Sequence, residues 1–370
     1  MTGADTKWAE VSLGAIAENV RALRALVRPS AVMAVVKANG YGHGAVPAAR
    51  AALRGGAARL GVSSVAEALE LRAAGIEAPI LNLGYTPPEA VGPAADAGIA
   101  LTLFDPAALP PLLATGRPVA VHVKVDTGMN RLGTGVEEAV RLARQVKESR
   151  LRLEGVWTHF ADADGPDLAF TRDQLARFQV ACQAMLAQGV RDFTSHAANS
   201  AAALRLPEAR LDLVRLGIAI YGINPVPEPV EGPRLEPALR WYTVVTRVSR
   251  IGPGETVGYG RTFRAGQETV VATLAAGYAD GLFRRLSNRG KAIIGGRLVP
   301  LIGTISMDQS AADVTGVPGV EPGDRVCLLG REGDARWEAE DLARAAGTIP
   351  YEVLCAISAR VPRSYNEAVP

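Results

Sequence analysis

A lysine followed by a glycine-rich segment ends a run of apolar residues near the start of the chain. In AVMAVVKANGYGHG, residues 31–44, six apolar residues precede Lys37, and glycines occupy positions 40, 42 and 44. A lysine that closes a buried strand is partly desolvated, which favours the neutral amine that can form a Schiff base. The glycines let the backbone approach a ligand closely, and Tyr41 offers a hydroxyl to an anionic group. Position alone still favours an ordinary surface lysine just past a strand end.

Eight β-rich apolar runs alternate with helical segments between residues 31 and 217. The helical segments carry Ala, Leu, Arg and Glu at helical spacing, as in VEEAVRLARQVKES from Val136. This order predicts a parallel sheet, and eight units predict a closed (β/α)8 TIM-type barrel with its chemistry at the carboxyl ends of the strands. The runs begin at Ala31, Leu60, Ala78, Ile99, Val119, Leu153, Asp192 and Leu211. Polar residues at their ends are Lys37, Lys124 with Asp126, His159, Asn199 with Ser200, and Arg215.

The pattern changes after INPVPEPVEGPRLEPAL, a segment from Ile223 whose proline and charge content is typical of a linker. Short alternating runs separated by Gly and Pro turns follow, among them WYTVVTRVSRI, KAIIGGRLVPLIG and DRVCLLG. They predict a mostly antiparallel β-domain, to which the alternating WAEVSL from Trp8 would add a strand. We therefore predict a barrel at residues 10–232 and a β-domain at 233–370 that includes an N-terminal strand at 1–9.

Composition argues against several classes of protein. The 370 residues are 48% hydrophobic and 21% charged, which gives enough apolar surface for a large core and too little charge for a disordered chain. The net charge of +2 predicts binding to neither nucleic acid nor a membrane surface. Three distant cysteines without a CxxC pair are expected to be buried free thiols that hold no metal. Without a recognisable secretory signal or membrane span, we expect a cytoplasmic protein.

A phosphate site is predicted where the last two barrel strands end. Gly217 and Ile218 follow VRLG, and loops at this place in a barrel commonly bind phosphate through backbone N–H groups. Ser200 would contribute from the neighbouring loop, and a role as helix N-cap is the alternative for it. A Schiff-base lysine and a phosphate site in one barrel indicate pyridoxal phosphate, with an aldolase-type lysine as the competing interpretation.

Nine motifs along the chain resemble those of the bacterial alanine racemases, a family of fold-type III pyridoxal-phosphate enzymes. Together and in this order they span nearly the whole sequence and are highly specific. The motifs are AVVKANGYGHG at Ala34, VKVDTGMNRLG at Val123, THFA at Thr158, HAANSAA at His196, VRLGIAIYG at Val214, VGYG at Val257, GYADG at Gly277, SMDQ at Ser306 and YEVLCAISARVPR at Tyr351.

The resemblance implies catalytic roles for four residues. Lys37 matches the Schiff-base lysine, which acts as the base on the D-isomer. Tyr259 matches the opposite base, which acts on the L-isomer and enters the barrel mouth of the partner subunit. A racemase needs a base on each face of Cα, because the proton leaves one face and returns to the other. His159 and Arg215 match residues hydrogen-bonded in series to this tyrosine, and a cationic series would stabilise its phenolate.

Arg215 also bears on which reaction the cofactor performs. The resemblance places it against the pyridine nitrogen, where many pyridoxal-phosphate enzymes have a carboxylate. A guanidinium cannot accept a proton from the ring, so the ring withdraws electrons less strongly. Reprotonation at Cα, and therefore racemisation, is favoured over transamination.

The remaining roles implied by the resemblance concern binding. Arg131 and the backbone of Met307, from the partner, match contacts to the substrate carboxylate, and Tyr278 and Asp308 match the substrate entrance. Lys124 matches a lysine that is often carbamylated and that positions Arg131; carbamylation would remove a repulsion between two cations. No metal is implied. The cofactor-binding set is Lys37, Tyr41, His159, Asn199, Ser200, Arg215, Gly217, Ile218 and Tyr351.

Two residues depart from the common family pattern. Ser306 stands where many members have cysteine, and Phe283 stands where proline is common. Neither residue belongs to the proposed catalytic groups, and the family pattern does not predict how either one shapes the substrate entrance.

The resemblance implies a homodimeric alanine racemase that interconverts L- and D-alanine and supplies D-alanine for cell-wall peptidoglycan. A broad-specificity alanine/serine racemase is the alternative, because pocket volume cannot be read from sequence. A decarboxylase on the same architecture should carry a carboxylate where Arg215 stands. A pyridoxal-phosphate-binding regulatory protein is usually a lone barrel, which the second domain argues against.

Overall fold

The computed structural model describes residues 5–226 and 232–369, which form two compact units. The barrel unit contains Ile16–Gly40 and Ala45–Glu236. The sheet unit contains the chain up to Ala15, the short segment Tyr41–Gly44, and the chain from Pro237 onward. The first strand, β1 (Lys7–Ser12), belongs to the sheet unit. The predicted limits at 10–232 and 233–370 stay a prediction.

A parallel eight-stranded sheet forms the barrel unit and confirms the predicted (β/α)8 fold. The strands pair in the order β8-β7-β6-β5-β4-β3-β2-β9. Backbone hydrogen bonds from Asp212 to Ser195 (3.2 Å) and from Arg215 to Ala198 (2.9 Å) link the two ends of this series. Each predicted run overlaps one strand, and β3 and β7 begin one residue before their runs. The strands are β2 (Ala31–Val35), β3 (Arg59–Val62), β4 (Ile80–Asn82), β5 (Ala100–Leu103), β6 (Ala120–Lys124), β7 (Arg152–Trp157), β8 (Thr194–His196) and β9 (Leu213–Leu216).

Helices follow the strands, and the helix from Val136 buries one apolar face. In VEEAVRLARQVK, buried residues recur at 139, 142, 143 and 146, the spacing of one helix face. The long helix from Ala169 is followed by Gly189, whose φ of 74° suits the left-handed turn that often ends a helix. The helices are α1 (Leu13–Leu26), α2 (Lys37–Tyr41), α3 (Ala45–Arg54), α4 (Val65–Ala73), α5 (Pro88–Asp96), α6 (Leu109–Ala114), α7 (Val136–Lys147), α8 (Ala169–Ala187) and α9 (Ser200–Arg205).

The interior of the barrel has an apolar end and a polar end. Met33, Leu81, Ala100 and Leu213 pack together, and Ala100 and Leu213 are the first residues of their strands. Polar side chains gather instead in the carboxyl-terminal halves of the strands, as described below. The strand direction therefore separates the packed core from the chemically active rim.

A mostly antiparallel nine-stranded sheet forms the sheet unit, as predicted. Its long strand β10 pairs antiparallel with β1, β13 and β17, whereas β1 and β19 run parallel. Residues 227–231 of the predicted linker lie outside the described residues. The elements are β10 (Leu239–Ile251), β11 (Thr256–Val257), β12 (Phe263–Arg264), β13 (Thr269–Leu274), β14 (Lys291–Ile294), β15 (Arg297–Pro300), β16 (Ser310–Asp313), β17 (Arg325–Glu332), β18 (Ala335–Trp337), α10 (Ala339–Ala346), α11 (Pro350–Ala356) and β19 (Arg363–Asn366).

Candidate active site

Arg215 is the centre of a hydrogen-bonded group inside the barrel. It lies in β9 with 3% of its surface exposed. Its Nη1 donates to His196 Nδ1 (3.0 Å), and the two hydrogens of its Nη2 are shared among His159 Nδ1 (3.0 Å) and the carbonyls of Thr158 and Ala197 (both 2.8 Å). Burial lowers the pKa of Arg215 to about 9. None of these partners is a carboxylate, so the guanidinium is held entirely by neutral acceptors.

His159 follows β7 and is half-buried. Burial, and then the positive charges of Arg215, Lys124 and Arg131, hold its pKa well below the ordinary value. The imidazole is therefore neutral, and its Nδ1 accepts from Arg215. Because a neutral imidazole carries one proton, that proton is on Nε2, which is left as a donor.

Lys124 ends β6 and is buried against Trp157, with Nζ 4.6 Å from the ring centre. The guanidinium carbon of Arg215 lies 4.8 Å from the same ring, so one indole contacts both cations. Burial, then Arg131 and Arg215, lower the pKa of Lys124 to about 8, although Asp126 opposes the shift. Arg131 is exposed in the loop that follows.

The pKa of Lys124 predicts that stability rises with pH above 8. Below about pH 8 both the folded and the unfolded lysine are charged, whereas between 8 and 10.5 the unfolded state binds more protons. In CO2-free buffer the chain should therefore gain up to about 3 kcal/mol of unfolding free energy across this window relative to Lys124→Met. Denaturant unfolding at several pH values measures this, with the exposed Lys291→Met as control. If the unfolding free energies of the wild type and of Lys124→Met changed in parallel with pH, the lowered pKa of Lys124 would be contradicted.

Lys37 follows β2 and is half-buried at the same rim. The neighbouring strand β9 is in register with β2, with Ala34 opposite Leu216, so Lys37 and the Gly217 loop follow their strands at the same end of the barrel. Its charge contributes to lowering the pKa of His159. The N–H of Ala38 donates to Glu67 Oε1 (2.7 Å), which fixes the chain as it leaves the strand.

The segment after Lys37 turns left-handed. Ala38, Asn39, Gly40 and Tyr41 have φ between 52° and 61°, so α2 is a turn of left-handed backbone. This conformation costs roughly 1–2 kcal/mol for residues such as Ala38 and Tyr41, and less for asparagine. Such strain persists only where the surroundings enforce it, and it is common at functional sites.

The Ser200 and Gly217 loops meet through one hydrogen bond. The Gly217 N–H donates to Ser200 Oγ (3.0 Å), and Ile218 begins a 3₁₀ turn directly afterwards. The N-cap of α9 is Asn199, whose Oδ1 accepts from Ala202 N–H (3.0 Å). The alternative role of Ser200 as N-cap was therefore wrong, because the preceding residue already provides the cap.

Tyr41 and Tyr351 come together within the sheet unit. Their ring centres are 6.2 Å apart, and burial, followed by Tyr351 and Cys355, raises the pKa of Tyr41 above its ordinary value. Tyr41 therefore keeps its proton and can donate it in a hydrogen bond. His43 is buried, and its Nδ1 donates to the Tyr41 carbonyl (3.0 Å). The next helix, α3, starts two residues later at Ala45.

The other predicted residues of the sheet unit lie on exposed, connected loops. Tyr259, Tyr278 and Met307 are 73%, 43% and 54% exposed, unusual values for such large apolar side chains. The Tyr278 N–H donates to the Ser306 carbonyl (3.0 Å), and Gly258, next to Tyr259, is bridged to Thr304. Asp308 is exposed and accepts from Arg360 Nη2 (2.7 Å).

The positions that depart from the family pattern are ordinary in structure. The Ser306 N–H donates to the Gln309 carbonyl (2.9 Å), and Phe283 is half-buried before a 3₁₀ turn. Neither contact explains why a cysteine or a proline is absent there.

Three site residues had no role in the sequence analysis. Trp157, His122 and His196 are buried beside Lys124 and Arg215. His196 stacks on Trp157 with ring centres 5.7 Å apart, and His122 and Lys124 lie two positions apart in β6. Two buried polar residues at this spacing face the same side of a strand, a signal that could have indicated a polar barrel interior.

Within residues 5–226 and 232–369, no group of three or more His, Cys, Asp or Glu side chains could hold a metal ion. No helix in the described part of the chain is long and apolar enough to cross a membrane. No disulfide joins Cys182, Cys327 and Cys355; Cys327 is buried, but Cys355 is exposed, so the expectation that all three are buried was wrong for Cys355.

Fold and site together define a class of barrel enzyme with a lysine at the end of the first barrel strand and a separate β-domain. Two family models match the chain in succession, the alanine racemase N-terminal domain at residues 11–225 and the alanine racemase C-terminal domain at 238–365. The chain therefore belongs to the alanine racemase family of isomerases, which confirms the resemblance drawn from its motifs.

Curated relatives match over almost their whole length. The alanine racemase of Symbiobacterium thermophilum is 45% identical over 371 residues, covering 99% of this chain and 98% of that protein. The alanine racemase of Carboxydothermus hydrogenoformans is 43% identical over 363 residues, covering 97% of this chain and 99% of that protein.

Solved structures of the family superpose closely. The alanine racemase of D-cycloserine-producing Streptomyces lavendulae has a TM-score of 0.93 at 40% identity, covering 98% of this chain and 97% of that one. The Bacillus anthracis alanine racemase, solved with bound L-Ala-P, has a TM-score of 0.91 at 37% identity, covering 100% of this chain and 97% of that one.

Proposed function

We propose that this protein is a cytoplasmic enzyme that interconverts L-alanine and D-alanine with pyridoxal phosphate by a two-base mechanism. The D-alanine would be supplied for the synthesis of peptidoglycan. The observation that carries the proposal is the Arg215 group. A buried guanidinium held by two neutral imidazoles and two carbonyls is an unusual choice for a barrel interior, and it suits a cofactor ring whose nitrogen is left unprotonated.

The residues at the barrel rim fit pyridoxal phosphate. Lys37 would hold the cofactor covalently through its amine. The Gly217 loop and Ser200 offer backbone N–H groups and a hydroxyl to the phosphate, and the protonated hydroxyl of Tyr41 suits the same anion. The cofactor-binding set we propose is Lys37, Tyr41, His159, Asn199, Ser200, Arg215, Gly217, Ile218 and Tyr351.

Two residues of this chain would move the proton. When bound, pyridoxal phosphate withdraws electrons from Cα of the amino acid and so acidifies its α-hydrogen. The Lys37 amine would remove or return that proton on the face used by D-alanine, and the Tyr259 phenolate would do so on the face used by L-alanine. His159 supports this role, because its Nε2–H can donate to a phenolate while Arg215 holds its Nδ1.

Arg215 would direct the outcome toward racemisation. It donates hydrogen bonds and cannot accept a proton, so it would not keep the cofactor ring nitrogen protonated. The proton is then returned to Cα rather than elsewhere. A decarboxylase or transaminase of this architecture would be better served by a carboxylate at this position.

Substrate binding would use residues from both domains. Arg131 and the backbone of Met307 would contact the substrate carboxylate, and Tyr278 and Asp308 would line the entrance. We propose that Lys124 is carbamylated, since a buried lysine whose pKa is about 8 has a reactive neutral amine and faces the positive charge of Arg131. A carbamate would reverse the charge of Lys124 and orient Arg131.

Two subunits would share each site. We assign residues 10–232 to the domain that carries the cofactor, and residues 233–370 with the strand at 1–9 to the domain that reaches the partner's site. Supporting this, Tyr259, Tyr278 and Met307 are exposed on connected loops of the sheet unit, as expected of apolar side chains that a partner would cover.

Shared sites predict recovery of activity when two inactive variants are mixed. Lys37→Ala and Tyr259→Ala homodimers should each be inactive. After complete subunit exchange, half the dimers are mixed, and each carries one intact site, so about a quarter of wild-type activity should return. A mixture of Lys37→Ala with the double variant is the control and should stay inactive. No recovery after verified exchange would contradict shared sites.

The function is tested by a racemisation assay with added pyridoxal phosphate across a panel of amino acids. We expect alanine to be racemised with the highest kcat/KM and no carbon dioxide to be released. Comparable kcat/KM for serine would support the broad-specificity alternative. Absence of racemisation of every amino acid by cofactor-loaded protein would overturn the proposal.

A further inference from the structure

Three of the four histidines of this chain lie in one hydrogen-bonded series with Arg215. On one side, Arg215 Nη2 meets His159 Nδ1 at 3.0 Å. On the other side, Arg215 Nη1 meets His196 Nδ1 at 3.0 Å, and His196 Nε2 meets His122 Nδ1 at 2.9 Å. The proposed mechanism uses the first side and gives no role to His196 or His122.

The direction of every bond in the series follows from Arg215, which can only donate. His196 Nδ1 must accept, so the proton of the neutral His196 ring is on Nε2. That N–H donates to His122 Nδ1, so the proton of His122 is also on Nε2. His159 has the same tautomer by the same argument. All three rings are thus Nε2–H imidazoles, and His196 is held in this form from both sides, by Arg215 at Nδ1 and by His122 at Nε2.

Burial and charge keep the series neutral. His122 and His196 are fully buried. Burial, and then Arg59, Arg152 and Arg215, lower the pKa of His122 to about 3. Burial, and then Arg215, His122 and Arg59, lower the pKa of His196 well below its ordinary value. A carboxylate also lies near the series: Glu154 Oε2 is 4.0 Å from His122 Nε2, and Glu154 pairs with Arg59 and Arg152.

The backbone makes room for the histidine pair. In β7, a Cβ on Gly155 would lie 2.2 Å from His122 Nδ1 and 2.5 Å from His122 Cε1. Any other residue at position 155 would force the His122 ring or the strand to shift. A glycine inside a strand carries an entropic penalty and packs poorly. Its presence next to His122 Nδ1 therefore indicates that the position of the His122 ring matters.

We propose that His196 and His122 are positioning residues that hold the Arg215 guanidinium in place, His196 directly and His122 by fixing the tautomer of His196. Without a proton on Nε2, His196 could not offer Nδ1 as an acceptor, and Arg215 would keep a buried N–H without a partner on that side. Such an unpaired donor favours a rotated guanidinium. The catalytic meaning of this positioning rests on the proposed racemase function, whereas the hydrogen-bond directions do not.

Substitutions to asparagine and to leucine distinguish a hydrogen-bonding role of His122 and His196 from simple filling of space. The Oδ1 of asparagine stands where Nδ1 of histidine stands, so His122→Asn keeps the acceptor for His196 and His122→Leu removes it. His196→Asn and His196→Leu make the same comparison for Arg215. If the histidines only filled space, leucine should be tolerated at least as well as asparagine.

Nitrogen NMR of the full chain labelled with ¹⁵N-histidine tests the series without cofactor or turnover. With four histidines, each pair of ring nitrogens is assigned by single substitution. We expect His122, His159 and His196 to carry their proton on Nε2 and not to titrate between about pH 5.5 and 9. In His122→Leu the His196 Nε2–H signal should move or exchange with an Nδ1–H form, and in His122→Asn it should stay. A wild-type His196 protonated on Nδ1, or titrating in this range, would overturn the proposal.

Kinetics supply the second readout. The leucine variants should lower kcat for alanine by about 10-fold to 100-fold with little change in KM, as expected when a reacting group is displaced slightly, and the asparagine variants should recover most of it. Equal loss in leucine and asparagine variants that unfold like the wild type would overturn the positioning role. If the protein lacks racemase activity but has the expected tautomers, the proposed function fails and the hydrogen-bonded series stands.

Discussion

Replacing Lys37 with alanine should lower alanine racemisation by on the order of 10⁴-fold or more, because it removes both the covalent anchor of the cofactor and one of the two proposed bases. The site geometry around it should survive, since Lys37 is half-buried at the rim and the Arg215 group lies in the strand interior. Racemisation is measured in both directions with cofactor in excess. The visible absorption of a lysine-bound cofactor should disappear in the variant.

Lys291 gives the matched control for this experiment. It is an exposed lysine at the start of a strand, in the sheet unit, and has no proposed role. Lys291→Ala should keep both the absorption band and the activity. Borohydride reduction of the wild-type protein should attach the cofactor to the peptide that contains Lys37. Attachment to a different lysine, or a Lys37→Ala variant with more than a hundredth of wild-type activity, would contradict the assignment.

The sequence predicted the fold well because the barrel strands are buried on both faces. Parallel strands of this kind read as nearly continuous apolar runs, and the segments between them have a clear helical period. The run from Ala31 to Val36 and the helix from Val136 are examples in which local pattern and tertiary structure agree. The sheet unit was predicted from strand and turn spacing, since its strands alternate and are joined by glycine turns.

The sequence could not predict which polar residues meet inside the barrel. His122 lies in the middle of β6, so a rule that looks only at strand ends passes over it. Its partner His196 comes from β8, and the space for both rings depends on Gly155 in β7. Which side chains meet across strands that are far apart in sequence depends on the register between those strands. The residue pattern of a single strand does not specify that register.

Backbone geometry explains two further differences. The left-handed turn at residues 38–41 contains only one glycine, so positive φ at its three other residues could not be expected from residue type. Tyr41 then groups with Tyr351 in the sheet unit, although its chain neighbours up to Gly40 belong to the barrel unit. The N-cap of α9 is Asn199 and not Ser200. This difference of one residue between prediction and structure is the usual uncertainty of helix ends.

Tyr259→Phe should separate the two directions of proton transfer. Phenylalanine keeps the ring and removes the hydroxyl, so the proposed base for L-alanine is lost while Lys37 remains for D-alanine. Exchange of the α-hydrogen of L-alanine with deuterated solvent should fall by about 10²-fold to 10⁴-fold, the usual contribution of a general base. Exchange from D-alanine should fall much less, because Lys37 can still remove that proton. Net racemisation should be lost in both directions, since it needs both bases.

The asymmetry between the two isomers is the decisive quantity in this experiment. Tyr85→Phe is the matched control, because Tyr85 is also an exposed tyrosine, at 58%, and has no proposed role. It should leave both exchange rates unchanged. A structural effect of Tyr259→Phe on the entrance would slow binding of both isomers equally and would appear as equal losses. Equal losses from L- and D-alanine would therefore argue against two bases, and a larger loss from D-alanine would reverse the assignment of the two faces.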